Sequence, residues 1–515
     1  MQTRREQVRA YRFVTRRIIS ALLAGEPETN DLPMRRLGGA LLASLMVGGI
    51  VFAIVGVYGL LNPGGGQLDG NALVIERETG ARYVYLDDTL YPVLNYSSAR
   101  LALGVADPDV RTVSRRSLLN IKRGHPVGIP NAPDAIPEPG ALLGLPWNVC
   151  GAHRQDEELA APETRLLVGT RLPPGNDLGD RALQIQVTDE SNNKTQYLVW
   201  HNHRLKIADS YVQIALKLDQ STPLPVGQAL ANAIPDGPDL APYKGKGQPA
   251  GRTVNGKPAA VGQLYRHDNT YYVMLADGLA PVGPVMADII RGQKNAVPVE
   301  EVSLTDLTAA HSPTTQVEEE GFPKTMPDLL TVDPHTAVVC ATATTADADA
   351  GVSVHTYDQT PAPLRLTGQD TAGRVTDGVL APTQVLVPGG HGELVVGADP
   401  GGATDGSTVY LVTDRGLRYS VPRPGNKSGG RNVDPKAALG YAEVAPVAVP
   451  KQLLALIPKG PTLDPETAIR FSTTDQPGPT PVPGSPNSTP ATPATPRTGA
   501  PAKSSSSSAR PSPSH

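Results

Sequence analysis

The sequence predicts a β-rich α+β protein: a single transmembrane helix followed by an extracytoplasmic region of four degenerate β-hairpin-containing repeats around a disulfide-tied central core. Three observations carry that prediction. Residues 37–61 are 25 consecutive residues without a charge, directly preceded by Arg35 and Arg36. Gly and Pro number 52 each, about a fifth of the chain, which favours short strands and turns over helix bundles. A tyrosine-led pattern of two short apolar strands about a polar turn occurs four times.

The first 36 residues carry eight Arg and four acids, a net charge of +4. Residues 5–24 read as a basic amphipathic helix. Val8, Tyr11, Thr15, Ile18 and Leu22 step by three and four along one face, Arg5, Arg9, Arg12 and Arg16 step beside them, and Gly25 and Pro27 end it. The stripe is expected to dock a cytoplasmic partner. A helix lying on anionic lipid, or arginines that only set topology, are the alternatives. A helix over 37–61 reaches roughly 37 Å, enough for a hydrocarbon core of about 30 Å. A cleaved signal peptide has a shorter apolar stretch, so the run is read as an uncleaved single-pass anchor. The positive-inside rule then holds the N-terminus in the cytoplasm and sends the rest across. With +4 in the head and −4 overall, the exported remainder is −8, which argues against nucleic acid as its partner.

Cys150 and Cys340 both follow the anchor. In an oxidising compartment an even pair is expected to form a disulfide; two unrelated buried thiols are the alternative. Their spacing fits no zinc pattern.

The four hairpin patterns run Tyr83–Val93, Tyr197–Ile207, Tyr272–Val282 and Tyr410–Val421. Asp277-Gly278 and Arg415-Gly416 fall in turns. A downstream echo follows three of them, at Ile129-Pro130, Ile234-Pro235 and Ile457-Pro458. Starts 114, 75 and 138 residues apart exclude a solenoid and fit similar modules with material inserted between them. The expected division is a cytoplasmic helix (1–36), the anchor (37–61), repeat 1 (67–139), a first core segment (140–190), repeat 2 (191–240), a linker (241–260), repeat 3 (261–304), a second core segment (305–400), repeat 4 (401–470) and a tail (471–515). The last 40 residues hold 11 Pro, a run of five Ser and no aromatic residue, so the tail is expected to be a disordered spacer, with wall contact as its alternative.

Candidate chemistry is sparse. Gly251, Gly256 and Lys257 have the spacing of a phosphate-binding loop, but Pro258 stands where that loop needs a magnesium-binding hydroxyl, and a flexible linker is the better reading. His201 and His203 could chelate across a strand face, yet they sit where the repeat places a turn. Glu318–Glu320 read as a solvated loop, and His391-Gly392-Glu393 lacks zinc-helix spacing. No serine sits in a nucleophile elbow, although a Ser/His/Asp set assembled from distant positions stays open. Neither a cofactor nor a metal is expected.

The order of these features resembles the EccB family, a membrane component of the type VII (ESX) secretion machine. The resemblance rests on Gln7-Val8-Arg9-Ala10-Tyr11-Arg12-Phe13 with Arg16-Arg17 and Ala21-Leu22, on the anchor, on Trp147-Asn148-Val149-Cys150 with the lone second cysteine, and on the four modules. It covers nearly the whole chain to about residue 470 and implies a structural subunit that anchors and braces a secretion channel. It implies EccC-, EccD- and EccE-like partners in a hexamer of protomers, a mycosin protease outside, and external domains that pair with each other. It also implies partner contacts at Val8, Tyr11, Arg12 and Ile18 and a Cys150–Cys340 bond. The family is often labelled an ATPase, an activity that Pro258 argues against placing at Gly251–Lys257. A nucleotide hydrolase and a cell-wall-binding module are the alternative functions.

Overall fold

The computed structural model describes residues 4–24, 33–61, 68, 70–152, 162–189, 191–243, 248–314, 316–347, 349, 351–404, 406–424 and 433–470. The tail, the Gly-rich exit at 62–66 and the helix-ending Gly25 and Pro27 lie outside them. Helix α1 spans Arg4–Ala24 and α2 spans Pro33–Leu61. Within α2, Gly38–Tyr58 has a mean hydropathy of 2.5 and is the one helix among the described residues long and apolar enough to cross a membrane.

Module 1 opens with a three-stranded meander, β1 (Ala72–Glu76), β2 (Arg82–Leu86) and β3 (Thr89–Pro92). Asp87 and Asp88 turn the second corner at φ 47° and 58°, in the left-handed region that short polar side chains tolerate. Helix α3 (Tyr96–Leu103) starts where the Asn95 side chain accepts from the Ser98 N–H and stops at Gly104, φ 72°. β4 (Val110–Val113) returns parallel to β1, and β5 (Lys122–Arg123) lies parallel to β3. Core strands β6 (Trp147–Ala152), β7 (Glu163–Leu167) and β8 (Asn176–Asp177) follow.

Module 2 comprises β9 (Leu183–Thr188), β10 (Lys194–Trp200), β11 (His203–Lys206), α4 (Ser210–Ala215), β12 (Leu224–Val226) and α5 (Gln228–Ala233). A hairpin of β13 (Pro249–Val254) and β14 (Lys257–Ala260) separates it from module 3. Module 3 has β15 (Leu264–His267), β16 (Thr270–Met274), β17 (Leu279–Val282), α6 (Pro284–Arg291), β18 (Glu300–Glu301) and α7 (Leu304–Ala309). The chain re-enters the core through β19 (Val338–Ala343), β20 (Val352–Tyr357), β21 (Gln369–Asp370), the small hairpin β22 (Val375–Thr376) and β23 (Val379–Leu380), and β24 (Gln384–Leu386). Module 4 ends the fold with β25 (Gly392–Ala398), β26 (Val409–Thr413), β27 (Arg418–Val421), α8 (Pro435–Ala438), β28 (Val447–Pro450) and α9 (Lys451–Ala455).

All four modules share one sheet order, third-second-first-fourth, with the fourth strand parallel to the first; module 1 adds β5 outside its third strand. The repeating unit is therefore larger than a hairpin. Strands β9 and β25 are first strands of modules, so modules 2 and 4 begin upstream of the edges at 191 and 401 that the hairpins suggested. The stretch 241–260, expected as a linker, contains the β13–β14 hairpin.

The downstream echo also shifts. Arg204 N–H donates to Pro235 O at 2.8 Å and Gly237 N–H to Arg204 O at 3.0 Å; Arg418 and Pro458–Gly460 repeat this at 3.0 and 2.9 Å. In module 1 the same rung is Lys122–Gly124 against Leu90, with Gly124 N–H on Leu90 O at 2.9 Å. The equivalent of Ile234-Pro235 and Ile457-Pro458 is thus Ile121-Lys122, not the expected Ile129-Pro130. The rung needs an apolar residue and then free carbonyls, which proline does not uniquely supply.

Glycine is needed at the end of that rung because the third strand's next side chain lies against it. A Cβ on Gly460 would meet the Tyr419 ring at 2.4 Å, and one on Gly124 the Tyr91 ring at 2.3 Å. Tyr419 is fully buried and has nowhere to move. Gly460→Ala is expected to destabilise the protein by about 1–3 kcal/mol, the usual range for overpacking. Gly140→Ala, in open space, should be silent in the same thermal unfolding measurement.

The central sheet runs β21-β24-β7-β6-β19-β20-β8. It joins two stretches of chain, and Cys150 on β6 lies directly opposite Cys340 on β19 and is disulfide-bonded to it. One face packs Trp147, Val149 and Val339 against Leu230 of α5 and Leu453 of α9. Modules 1 and 4 share a core through Leu101, Ile129, Leu411 and Tyr419, and modules 2 and 3 through Leu198, Leu205, Val273 and Ile289.

Candidate functional site

Helix α1 carries the expected stripe uncovered. Val8 is 49% exposed, Tyr11 75%, Ile18 53% and Leu22 80%, while Arg5, Arg9, Arg12 and Arg16 are exposed beside them. An apolar ridge this open on a helix next to the anchor is a surface able to take a partner.

The phosphate-loop candidate folds differently from that motif. Gly251 lies within β13, Lys257 opens β14, and Asn255-Gly256 form the turn between them at φ 52° and 73°. A phosphate loop needs a helix N-terminus after its glycines; here a strand follows, and Lys257 Nζ sits 3.7 Å from Glu300 Oε1. Lys257→Ala is therefore expected to leave any ATP turnover by the purified chain unchanged, measured as phosphate release.

His201 occupies the β10–β11 turn, stacked on Trp200 at 3.9 Å, and its backbone carbonyl accepts from His203 Nδ1 at 2.9 Å. No group of three or more His, Cys, Asp or Glu able to hold a metal occurs among the described residues. Glu318 is engaged in the fold, its Oε1 accepting from Gly283 N–H at the start of α6 at 2.6 Å.

The structure does bring a Ser/His/Asp set together. Ser353 Oγ and His355 Nε2 are 2.8 Å apart on β20, and Asp177 Oδ1 of β8 lies 2.6 Å from His355 Nδ1. Of the three, His355 lines an open cleft of about 400 Å³, together with Leu145, Asn148, Arg171 and Tyr357. His355 Nδ1 makes no hydrogen bond among the described residues despite this approach, so Asp177 does not orient the imidazole as a triad requires. The adjacent Val354 N–H is taken by Asn202 Oδ1 at 2.8 Å, which removes a donor that could serve an oxyanion. The set fastens the edge strand β8, and Asn202 fastens module 2's turn, to the central sheet.

A fully buried polar contact ties module 4 to that sheet. Trp147 Nε1 donates to Glu393 Oε2 at 2.7 Å; both residues are fully buried. Burial pushes the Glu393 carboxyl up from 4.5 to about 7, against the opposing effect of the indole N–H. Its Oε1 has no partner among the described residues. No sequence signal marked this residue beyond its place in His391-Gly392-Glu393.

A basic amphipathic helix, one helix among the described residues long and apolar enough to cross a membrane, and a disulfide-tied set of βββαβ modules define a membrane protein of modular β-rich build. The family described as type VII secretion system ESX-1, transport TM domain B (EccB) matches residues 1–474. The chain belongs to this EccB family of type VII secretion components. The ESX-3 secretion system ATPase EccB3 of Mycolicibacterium smegmatis is 31% identical over 483 residues, 89% of each chain. The ESX-5 secretion system ATPase EccB5 of Mycobacterium tuberculosis is 26% identical, over 90% of this chain and 92% of that one. Among solved structures, an EccB3 dimer from the ESX-3 core complex has a TM-score of 0.53 at 28% identity, covering 78% of this chain and 100% of that one. A chain of an intact ESX-5 inner membrane complex shares the fold, with a TM-score of 0.52 at 24% identity over 94% and 98% of the two chains.

Proposed function

We propose that the chain is a structural subunit of a type VII secretion membrane complex, anchored by α2 and bracing the channel through its external modules. The observation that carries this reading is the uncovered apolar stripe of α1, directly before the anchor and outside the packed modules. The eight head arginines favour a cytoplasmic N-terminus, so the stripe faces cytoplasmic regions of EccC- and EccD-like subunits. The external modules pair with a second copy, as in the EccB3 dimer, near an EccE-like subunit and a mycosin protease. Cys150 and Cys340 hold the module-bearing sheet in one register for that role.

Reversing the charge of Arg5, Arg9 and Arg12 together is expected to weaken assembly without impairing insertion, since Arg16, Arg17, Arg35 and Arg36 remain. A gentle-detergent pull-down from native membranes measures this. Wild type should return in a very large complex with an FtsK-like ATPase and a polytopic subunit, and the triple variant should return depleted of both. Recovery of wild type as a lone monomer or homodimer would exclude the scaffold reading. Sedimentation of the external region with purified cell wall would favour the wall-binding alternative.

A further inference from the structure

Between Asp109 and Asp134 the chain carries Arg111, Arg115, Arg116, Lys122 and Arg123 and no acid. Residues 114–121 cross one face of the module 1 sheet, where Leu118 and Ile121 pack on Val74, Tyr83 and Leu90. The opposite face, with α3, turns toward module 4. The segment therefore presents its outer side away from the neighbouring module. There Arg115, Arg116, Lys122 and Arg123 are exposed, and Leu119 between them is 67% exposed. Arg115 reaches Glu76 at 3.8 Å and Arg123 lies over the Tyr83 ring, whereas Arg116 and Lys122 meet no carboxylate among the described residues.

The fold does not demand these cations. The rung held by Lys122-Arg123-Gly124 is Pro235-Asp236-Gly237 in module 2. The helices that follow the fourth strand there and in module 4, α5 and α9, pack against each other. The corresponding turn of module 1, Arg115–Leu118, is followed by the exposed Leu119.

Chain connectivity says what lies near this face. Leu68 packs on the same side of the sheet, beside Val74 and Tyr83. It stands seven residues after Leu61, the end of the membrane-crossing helix. Seven residues extend at most about 25 Å, so this face stays close to the bilayer surface. Cations on such a tether, with one apolar side chain among them, fit a surface of anionic headgroups over acyl chains.

We infer that the outer face of module 1 is a lipid-binding surface that docks on anionic phospholipid headgroups of the leaflet from which α2 emerges, with Leu119 entering the interface. The inference rests on α2 crossing the membrane and not on membership of a complex, so it is tested on the full chain alone. The chain carries a fluorophore on Asn120→Cys, the native cysteines being disulfide-bonded, and is reconstituted in nanodiscs with headgroup-spin-labelled lipid as quencher. Discs of phosphatidylglycerol with phosphatidylcholine are compared with discs of phosphatidylcholine alone. A fluorophore on Ile214→Cys, also exposed and in module 2, is the reference site.

Quenching at Asn120 is expected in anionic discs and should fall to the Ile214 level in neutral discs or high salt. Arg116→Glu with Lys122→Glu should lower the docked-to-free ratio roughly thirtyfold or more, at about fivefold per cation. The thermal unfolding of that variant should match wild type, since neither side chain is packed. Quenching equal in both disc types, or no greater than at Ile214, overturns the inference. So does shielding of the Asn120 probe that grows with protein concentration without headgroup quenching, which would make this face a contact between copies.

Discussion

Removing the disulfide, by Cys150→Ala with Cys340→Ala, is expected to cost the modular region roughly 3–5 kcal/mol. The bond closes a loop of 190 residues that holds all of modules 2 and 3. In the chain-entropy view its loss frees the unfolded state of a constraint worth roughly 5 kcal/mol at this loop length. The folded state should change little, because β6 and β19 keep their ladder from Trp147 to Gly151 without it. Trp147 is fully buried on β6, three residues from Cys150, so its emission during heating of the detergent-solubilised chain reports the transition. An earlier transition in the double variant, matched by either single variant, is the expected result. An unchanged transition would show that the ladder alone holds the sheet.

Glu393 should make stability fall as pH rises. Its folded-state pKa of about 7 lies above the ordinary 4.5, so the folded protein holds this proton more tightly than the unfolded chain does. The stabilisation is complete below about 4.5 and is lost as pH climbs through 7. At about 1.4 kcal/mol per pH unit the swing is about 3 kcal/mol. Glu393→Gln keeps an acceptor for the Trp147 indole and removes the titration. Urea unfolding followed by tryptophan emission from pH 4.5 to 8 should fall for wild type relative to the variant. Parallel profiles would place the carboxyl back at its ordinary value.

The hairpins were legible because each offers an alternating apolar strand, a turn residue and a second strand within a dozen positions. The parallel fourth strand was not. Leu224-Pro225-Val226 and Val447–Pro450 are too short and too proline-marked to read as strands, and each finds its partner tens of residues away. That hidden strand moved the module edges, and with them β9 and β25 out of the expected core. The proline echo misled for a related reason. Proline was the visible letter, while in modules 1, 2 and 4 the rung ends on the glycine that receives the third strand, Gly124, Gly237 or Gly460; module 3 has Ser312 there. The divided core could be read because its cysteines fall in the inserted stretches. The cross-strand neighbourhood of Ser353, His355 and Asp177 and the Trp147–Glu393 contact depend on pairings that no local pattern encodes. The cations of 111–123 stood in plain view, but their meaning needed the sheet face on which they lie.

The central sheet also sets a timetable. A chain made from its N-terminus brings out β6 and β7 early, and these can pair at once. Strand β19 follows only after nearly two hundred further residues, and β24, which completes the β7 edge, later still. Until then β6 has an open edge and Cys150 an unmatched thiol. Modules 2 and 3 have no such wait, since each draws its strands from one continuous stretch. The sheet begun before them is thus finished after them, and the cysteine pair can close only once the whole of modules 2 and 3 has been made.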